Sequence, residues 1–153
     1  MTENTALSAE TQMIYTWLAR LMGQIDTHCG AREKAALLKG CALAHYRAIN
    51  MDEILAPYRG NLGAFVEFLS KQWGWVVTYD EAQGVIIADE NKAACVCPLV
   101  KQGIAIDLTF LCSCSEGFAE KMFSEVTGRP VSARVQQSIL RGAPSCVYRI
   151  ELA

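Results

Sequence analysis

Seven cysteines in a chain of 153 residues are the side chains with the most chemistry to offer. Five of them, Cys95, Cys97, Cys112, Cys114 and Cys146, fall in the second half. They include two Cys-x-Cys pairs, 95/97 and 112/114. A chain this long and apolar can build a core without disulfide staples, so its thiols are expected to be reduced and free for metal or reactive chemistry. Zinc takes about four ligands in a tetrahedron, with Zn–S near 2.3 Å. The preferred set is Cys97, Cys112, Cys114 and Cys146, with Cys95 as a spare sulfur. Lys92, Lys101 or Arg141 would offset the negative charge of four thiolates. The same sulfurs could hold an iron–sulfur cluster. Zinc is favoured because the spacing matches neither common ferredoxin run. A redox dithiol is a third use, but residues two apart on a strand are awkward for a direct disulfide. Packing is the plain alternative, since cysteine often serves as a small buried hydrophobe.

The elements that must position these sulfurs follow from periodicity. Ser8 is a candidate N-cap for a helix carrying Ile14, Leu18, Leu21, Met22 and Ile25 up to Cys29-Gly30. A second helix spans about Ala31 to Ala48, with Ala35, Leu38, Ala42 and Tyr46 near one stripe. Asn50 and Glu53 have capping-box spacing for a short helix ending before Pro57. Another helix starts at Gly60-Asn61 and ends near Trp73-Gly74. From Trp75 the pattern alternates, predicting a strand, a hairpin loop at 80–84 and a return strand from Val85 to Ala88. A third strand is expected over Lys92 to Cys97, and 103–111 is ambiguous between strand and connector. Ser113 and Glu116 then mark the start of a long helix with Phe118, Met122, Phe123 and Val126 buried, closed by Gly128. Segments Val131 to Leu140 and Cys146 to Leu152 complete a hairpin.

The expected architecture is one α+β domain over 1–153, helical in 1–74 and sheet-bearing in 75–153. An N-terminal helical layer packs on an antiparallel sheet of about five strands, interrupted by one long helix. In that arrangement Cys114 sits in the first helical turn, where free N–H groups and the helix dipole favour thiolate. Cys146 opens the last strand and faces the core. In the helical half, Cys41 precedes His45 by one turn, which offers only two ligands and reads as a helix contact. Cys29, beside His28 and Gly30, reads as a helix end.

Composition excludes several classes. Hydrophobic residues make up 52% and charged residues 20%, too apolar for a disordered chain. With 14 basic and 16 acidic residues, nothing marks nucleic acid as a partner. No uncharged run reaches the roughly 18 residues of a membrane helix, and the acidic start lacks the pattern of a signal peptide. A cytoplasmic protein is expected.

The later motifs bring a family into view. Cys97-Pro98, Cys-Ser-Cys-Ser-Glu-Gly-Phe over 112–118, Val-Thr-Gly-Arg-Pro-Val ending at Val131, Ser-Ile-Leu-Arg-Gly ending at Gly142 and Cys-Val-Tyr-Arg-Ile over 146–150 resemble the end of a 4-vinyl reductase-type domain. The resemblance covers about 75–152. It implies a small-molecule-binding domain, often sensory and often a homodimer, with an apolar pocket between helices and sheet. Some members also carry zinc near that pocket, held by a cysteine ahead of the long helix, a Glu-x-x-Cys on the next strand and a cysteine opening the last strand. The first falls on Cys112 or Cys114 and the last on Cys146, but the Glu and middle Cys fall on Val135 and Ser138. The extra thiols here would have to replace them.

For a small apolar or aromatic ligand, the pocket candidates are His45 as a polar handle and Trp75 and Phe118 as walls. A secondary resemblance, to L-2-amino-thiazoline-4-carboxylate hydrolase-like proteins with their Cys-rich centre, implies an enzyme instead. Its nucleophile would be the Cys114 thiolate or a metal-activated water. Against this, both histidines lie in the helical half and no paired carboxylates stand out.

Overall fold

The structure, a computed structural model, describes residues 8–101 and 109–153. Helix α1 (Ala9–His28) begins at Ser8, whose side chain accepts from the Thr11 N–H. Helix α2 (Ala31–Ala48) follows directly, its Gly30 N–H donating to Glu33 at 2.7 Å. The short α3 (Met51–Leu55) starts at Asn50, which sits in the left-handed region and makes no side-chain cap. The capping box expected there is absent. Helix α4 (Leu62–Phe68) is capped by Asn61 and runs into a wider π-type turn over Leu69–Trp73.

Strands β1 (Val76–Asp80) and β2 (Val85–Asp89) form the expected hairpin. The third strand expected over 92–97 does not form. Asn91 takes a left-handed φ of 52°, its side chain donates to the Gly74 carbonyl, and Lys92 reaches the Trp73 carbonyl at 2.7 Å. The chain is thus turned off the sheet, and a one-turn helix, α5 (Pro98–Lys101), follows. Proline is well suited to a first helical turn, where its missing N–H costs nothing. Of the ambiguous stretch 103–111, residues 103–108 lie outside the described residues, and Thr109–Leu111 is a 3₁₀ turn.

Helix α6 (Cys112–Thr127) starts two positions earlier than Ser113 as its cap would have it, with Leu111 at the N-cap. Glu116, the expected capping-box partner, instead accepts from the Val135 N–H at 3.0 Å. Gly128 closes α6 at a φ of 67°, a conformation glycine adopts without a Cβ penalty. Strands β3 (Val131–Gln137) and β4 (Val147–Leu152) complete an antiparallel sheet of order β1-β2-β4-β3. Among the described residues the sheet has four strands, where about five were expected.

The α+β expectation holds, with helices on one face of the antiparallel sheet. Tyr46, Met51, Leu55, Phe65, Leu69, Ile86, Met122, Phe123, Val126 and Ile150 fill the junction between them. Helix α6 lies across β3, and its carboxylates serve the strand's outer edge: Glu120 accepts from the Ala133 N–H and Glu116 from that of Val135, both at 3.0 Å. Those N–H groups would otherwise form an open template for another strand. Lys39 of α2 completes the tie, 2.6 Å from Glu120. No helix among the described residues is long and apolar enough to cross a membrane.

A second, smaller cluster joins Met22, Leu38 and Leu111 with Leu18, Ile25, Leu99 and Cys114 around them. The stripe predicted on α1 therefore divides. Leu18, Met22 and Ile25 pack inward, whereas Ile14 and Leu21 stay exposed beside Met13 and Trp17.

Candidate functional site

Three segments bring cysteines to one cavity. Cys95 and Cys97 come from the irregular stretch after β2, Cys112 from the first turn of α6, and Cys146 from the entry to β4. Glu90, Leu111, Ser115, Val135, Leu140 and Tyr148 line the same space. Its free volume is about 20 Å³. A cavity of that measure holds about one water molecule. It has the size of an ion's site rather than of an aromatic ring.

Glu90 is placed by the sheet. Its N–H donates to the Cys146 carbonyl at 3.0 Å, extending the β2–β4 ladder by one bond. The residue is only 6% exposed. Oε1 accepts a 2.8 Å hydrogen bond from the Tyr148 hydroxyl, while Oε2 has no partner. Burial, and then the neighbouring Asp89 charge, push the Glu90 carboxyl above its ordinary range, against the Tyr148 hydrogen bond and the Lys92 charge. Tyr148 is pushed up as well, by its own burial and by Glu90. Its ring stacks on Trp75 at 6.0 Å with a 7° interplanar angle.

On the helix side, Cys112 Sγ lies 3.0 Å from Ser138 Oγ, both buried. Ser138 Oγ also accepts from the Leu140 N–H at 3.1 Å. Burial raises the thiols of Cys95 and Cys146. Glu90 and Cys112 add to the rise at each of these two thiols.

The structure divides the predicted metal set. Cys97, Cys112 and Cys146 line the cavity; Cys114 does not, and Cys95 takes its place. Residues two apart on a helix point about 200° apart, so Cys112 and Cys114 serve opposite sides of α6. Cys114 packs with Leu38 and Leu111 in the smaller cluster. There burial pushes its thiol up to about 11, with Cys97 and Cys41 adding to the rise. Desolvation outweighs the helix terminus, reversing the expectation of a thiolate. A thiol held protonated is a poor nucleophile at neutral pH.

The predicted ligand pocket also divides. His45 and Phe118 touch, ring centroids 5.0 Å apart, and burial lowers the His45 pKa. Trp75 lies elsewhere, between Trp73 and Tyr148. None of the three lines the cysteine-walled cavity. Cys41 is exposed on α2.

Sequence reasoning missed Glu90 and Tyr148. An acidic residue within an Asp-Glu-Asn-Lys run reads as solvated loop, and only the sheet register reveals that it turns inward. Among the described residues no group of three or more His, Cys, Asp or Glu is arranged to hold a metal ion as it stands. The donors nonetheless suit a thiophilic cation in type, and the orphaned Glu90 oxygen leaves one strong acceptor unused. A cation would have to draw the sulfurs inward.

No protein-family model matches the chain, and no curated protein matches it. Solved structures do. One is trafficking protein particle complex subunit 3 from Naegleria fowleri, covalently bound to palmitic acid, with a TM-score of 0.52 and 14% identity over 93% of this chain and 96% of that one. Another is the phenol-responsive sensory domain of the transcription activator PoxR with phenol, with a TM-score of 0.51 and 14% identity over 90% and 74%. At such identity these are likenesses of fold.

Proposed function

We propose that the chain is a small-molecule-binding domain of the sensory kind, stabilised by a metal, zinc in the first place, at the cysteine-walled cavity. One observation carries this reading: sulfurs from three separate segments, Cys112 and Cys146 with Cys95 or Cys97, border one ion-sized space. A cation there would tie the start of α6 to the sheet and to the stretch after β2. Cys114 is left out of the set. The four-sulfur iron cluster is the alternative occupant.

The ligand class, small and apolar or aromatic, is supported by the two fold likenesses, whose structures hold phenol and palmitic acid, and by the motifs shared with 4-vinyl reductase-type domains. The cavity as it stands is too small for either molecule. A ligand would have to open the junction between α2, α6 and the sheet, near His45 and Phe118. The exposed face of α1, with Met13, Ile14 and Trp17, is where this reading seats a second copy in a homodimer. Reduced thiols fit a cytoplasmic setting.

The test is a thermal-shift screen of phenols, other aromatic and heterocyclic compounds, and fatty acids on zinc-loaded protein. At a ligand concentration 100-fold above Kd, binding stabilises by about 2.7 kcal/mol. For a domain of this size that raises the melting temperature by roughly 5–10 °C. A panel with no shift in any class would contradict the binding reading.

A further inference from the structure

We infer that the cleft between the α1–α2 elbow and the start of α6 binds a small carboxylic acid, its carboxylate held by Arg141, Lys34 and Ser113 and its apolar body laid on Phe110. The cleft shares no lining residue with the cysteine-walled cavity, and filling it requires neither a metal nor an opening of the helix–sheet junction.

Ser113 was expected to cap α6, but Leu111 takes the N-cap position and leaves Ser113 inside the first turn. The residue is 9% exposed and lines this cleft. Its hydroxyl has no hydrogen-bond partner among the described residues. Nor is that hydroxyl sealed in, because the one fully enclosed side-chain oxygen or nitrogen without a partner among the described residues is Glu90 Oε2. The open side of the Ser113 hydroxyl is therefore the cleft. A donor so placed, at the positive end of a helix, suits an anion.

Two cations face the same space. Arg141 donates from Nε and Nη2 to the Thr109 carbonyl at 3.3 and 3.1 Å, which holds its guanidinium in place. Three of its five N–H groups remain, in the fork geometry that carboxylates match. Lys34, with only 20% of its side chain exposed, spends one donor on Asp26 at 2.6 Å and lies 5.5 Å over the Phe110 ring. Its ammonium keeps two donors. With Asp26 counted against the two cations, the cleft carries one net positive charge. A single carboxylate balances that charge, whereas a phosphate dianion overshoots it. Ala31 and Ala35 extend the apolar floor beside Phe110. The free volume of about 390 Å³ falls in the range of small-molecule sites, roughly 300–1,000 Å³.

Benzoate, inorganic phosphate and benzyl alcohol are titrated calorimetrically into the reduced full chain, as wild type, Arg141→Gln, Lys34→Gln and Ser113→Ala. The wild type should bind benzoate. Phosphate lacks the apolar body and benzyl alcohol lacks the charge, so each should bind at least about 10-fold more weakly. Arg141→Gln should weaken benzoate by about 10–100-fold, Lys34→Gln by about 10-fold and Ser113→Ala by about 3–10-fold, as expected for losing charged and neutral hydrogen bonds. Benzoate bound equally by all four proteins sits elsewhere in the molecule, which overturns the inference and leaves the binding reading above intact. No benzoate binding to the wild type at millimolar concentration, or phosphate bound as tightly as benzoate, would overturn it as well. Should Arg141→Gln fold poorly, Lys34→Gln makes the same comparison while sparing the bonds between Arg141 and Thr109.

Discussion

Stripping the chain of metal with a strong chelator is expected to lower its melting temperature by roughly 10 °C. The figure follows from linkage. A cation at 1,000 times its dissociation constant stabilises the folded state by about 4.1 kcal/mol, and each kcal/mol is worth roughly 2–4 °C in a domain of this size. The stripped chain should still unfold cooperatively. Its main core, built on Phe65, Phe123, Met122 and Ile150, fills the helix–sheet junction with Cys146 as the one cysteine among its buried members. Calorimetric melts with chelator, and again after zinc is restored, check this. Superimposable melts in all conditions would remove any stabilising role for metal.

Gly117→Ala is expected to cost about 2–3 kcal/mol, even though alanine is intrinsically better in a helix by about 1 kcal/mol. The reason is the crossing of α2 and α6. A Cβ at Gly117 would stand 2.6 Å from the Lys39 carbonyl oxygen and 2.7 Å from its Cα. Both atoms are backbone, so no side chain can swing aside and the helices must separate. Separation would also stretch the Lys39–Glu120 ion pair and loosen the carboxylates that cover the β3 edge. Overpacking of this kind typically costs about 1–3 kcal/mol and occasionally more. Urea unfolding of wild type and variant gives the comparison. A variant as stable as wild type would mean the two backbones are not so close.

These expectations depend on features the sequence discloses unevenly. The helices were legible because apolar residues recur at helical spacing and chemistry marks the ends: Ser8 caps α1, and Gly128 closes α6. The β1–β2 hairpin and β4 were legible from alternation. The strand expected over 92–97 failed because alternation there found no partner. The left-handed turn at Asn91 and the Lys92 bond to Trp73 are tertiary choices that a local pattern does not record. Helix α6 takes Glu116 for the edge of β3, so the capping-box spacing was real and its use different.

The site was legible in element and half, less so in membership. Two Cys-x-Cys pairs and Cys146 pointed to one centre, and four of those five cysteines do border one cavity. Cys114, chosen ahead of Cys95, is the one of the five that does not border it. Residues two apart share a face on a strand but not on a helix, and 112–114 is helical. Glu90 carried no such warning. Its inward turn depends on the pairing of β2 with β4, and its importance on a single oxygen left without a donor. Val135 and Ser138, the positions to which the 4-vinyl reductase-type resemblance carries a Glu and a Cys, lie at the cavity wall and against Cys112.

The most direct test is the metal content of protein prepared without affinity metals and compared with Cys112→Ser and Cys146→Ser. A metal-bound centre predicts about one zinc per chain in the wild type and its loss from both variants. Metal-free wild-type protein, or variants that keep a full complement of zinc, would contradict it.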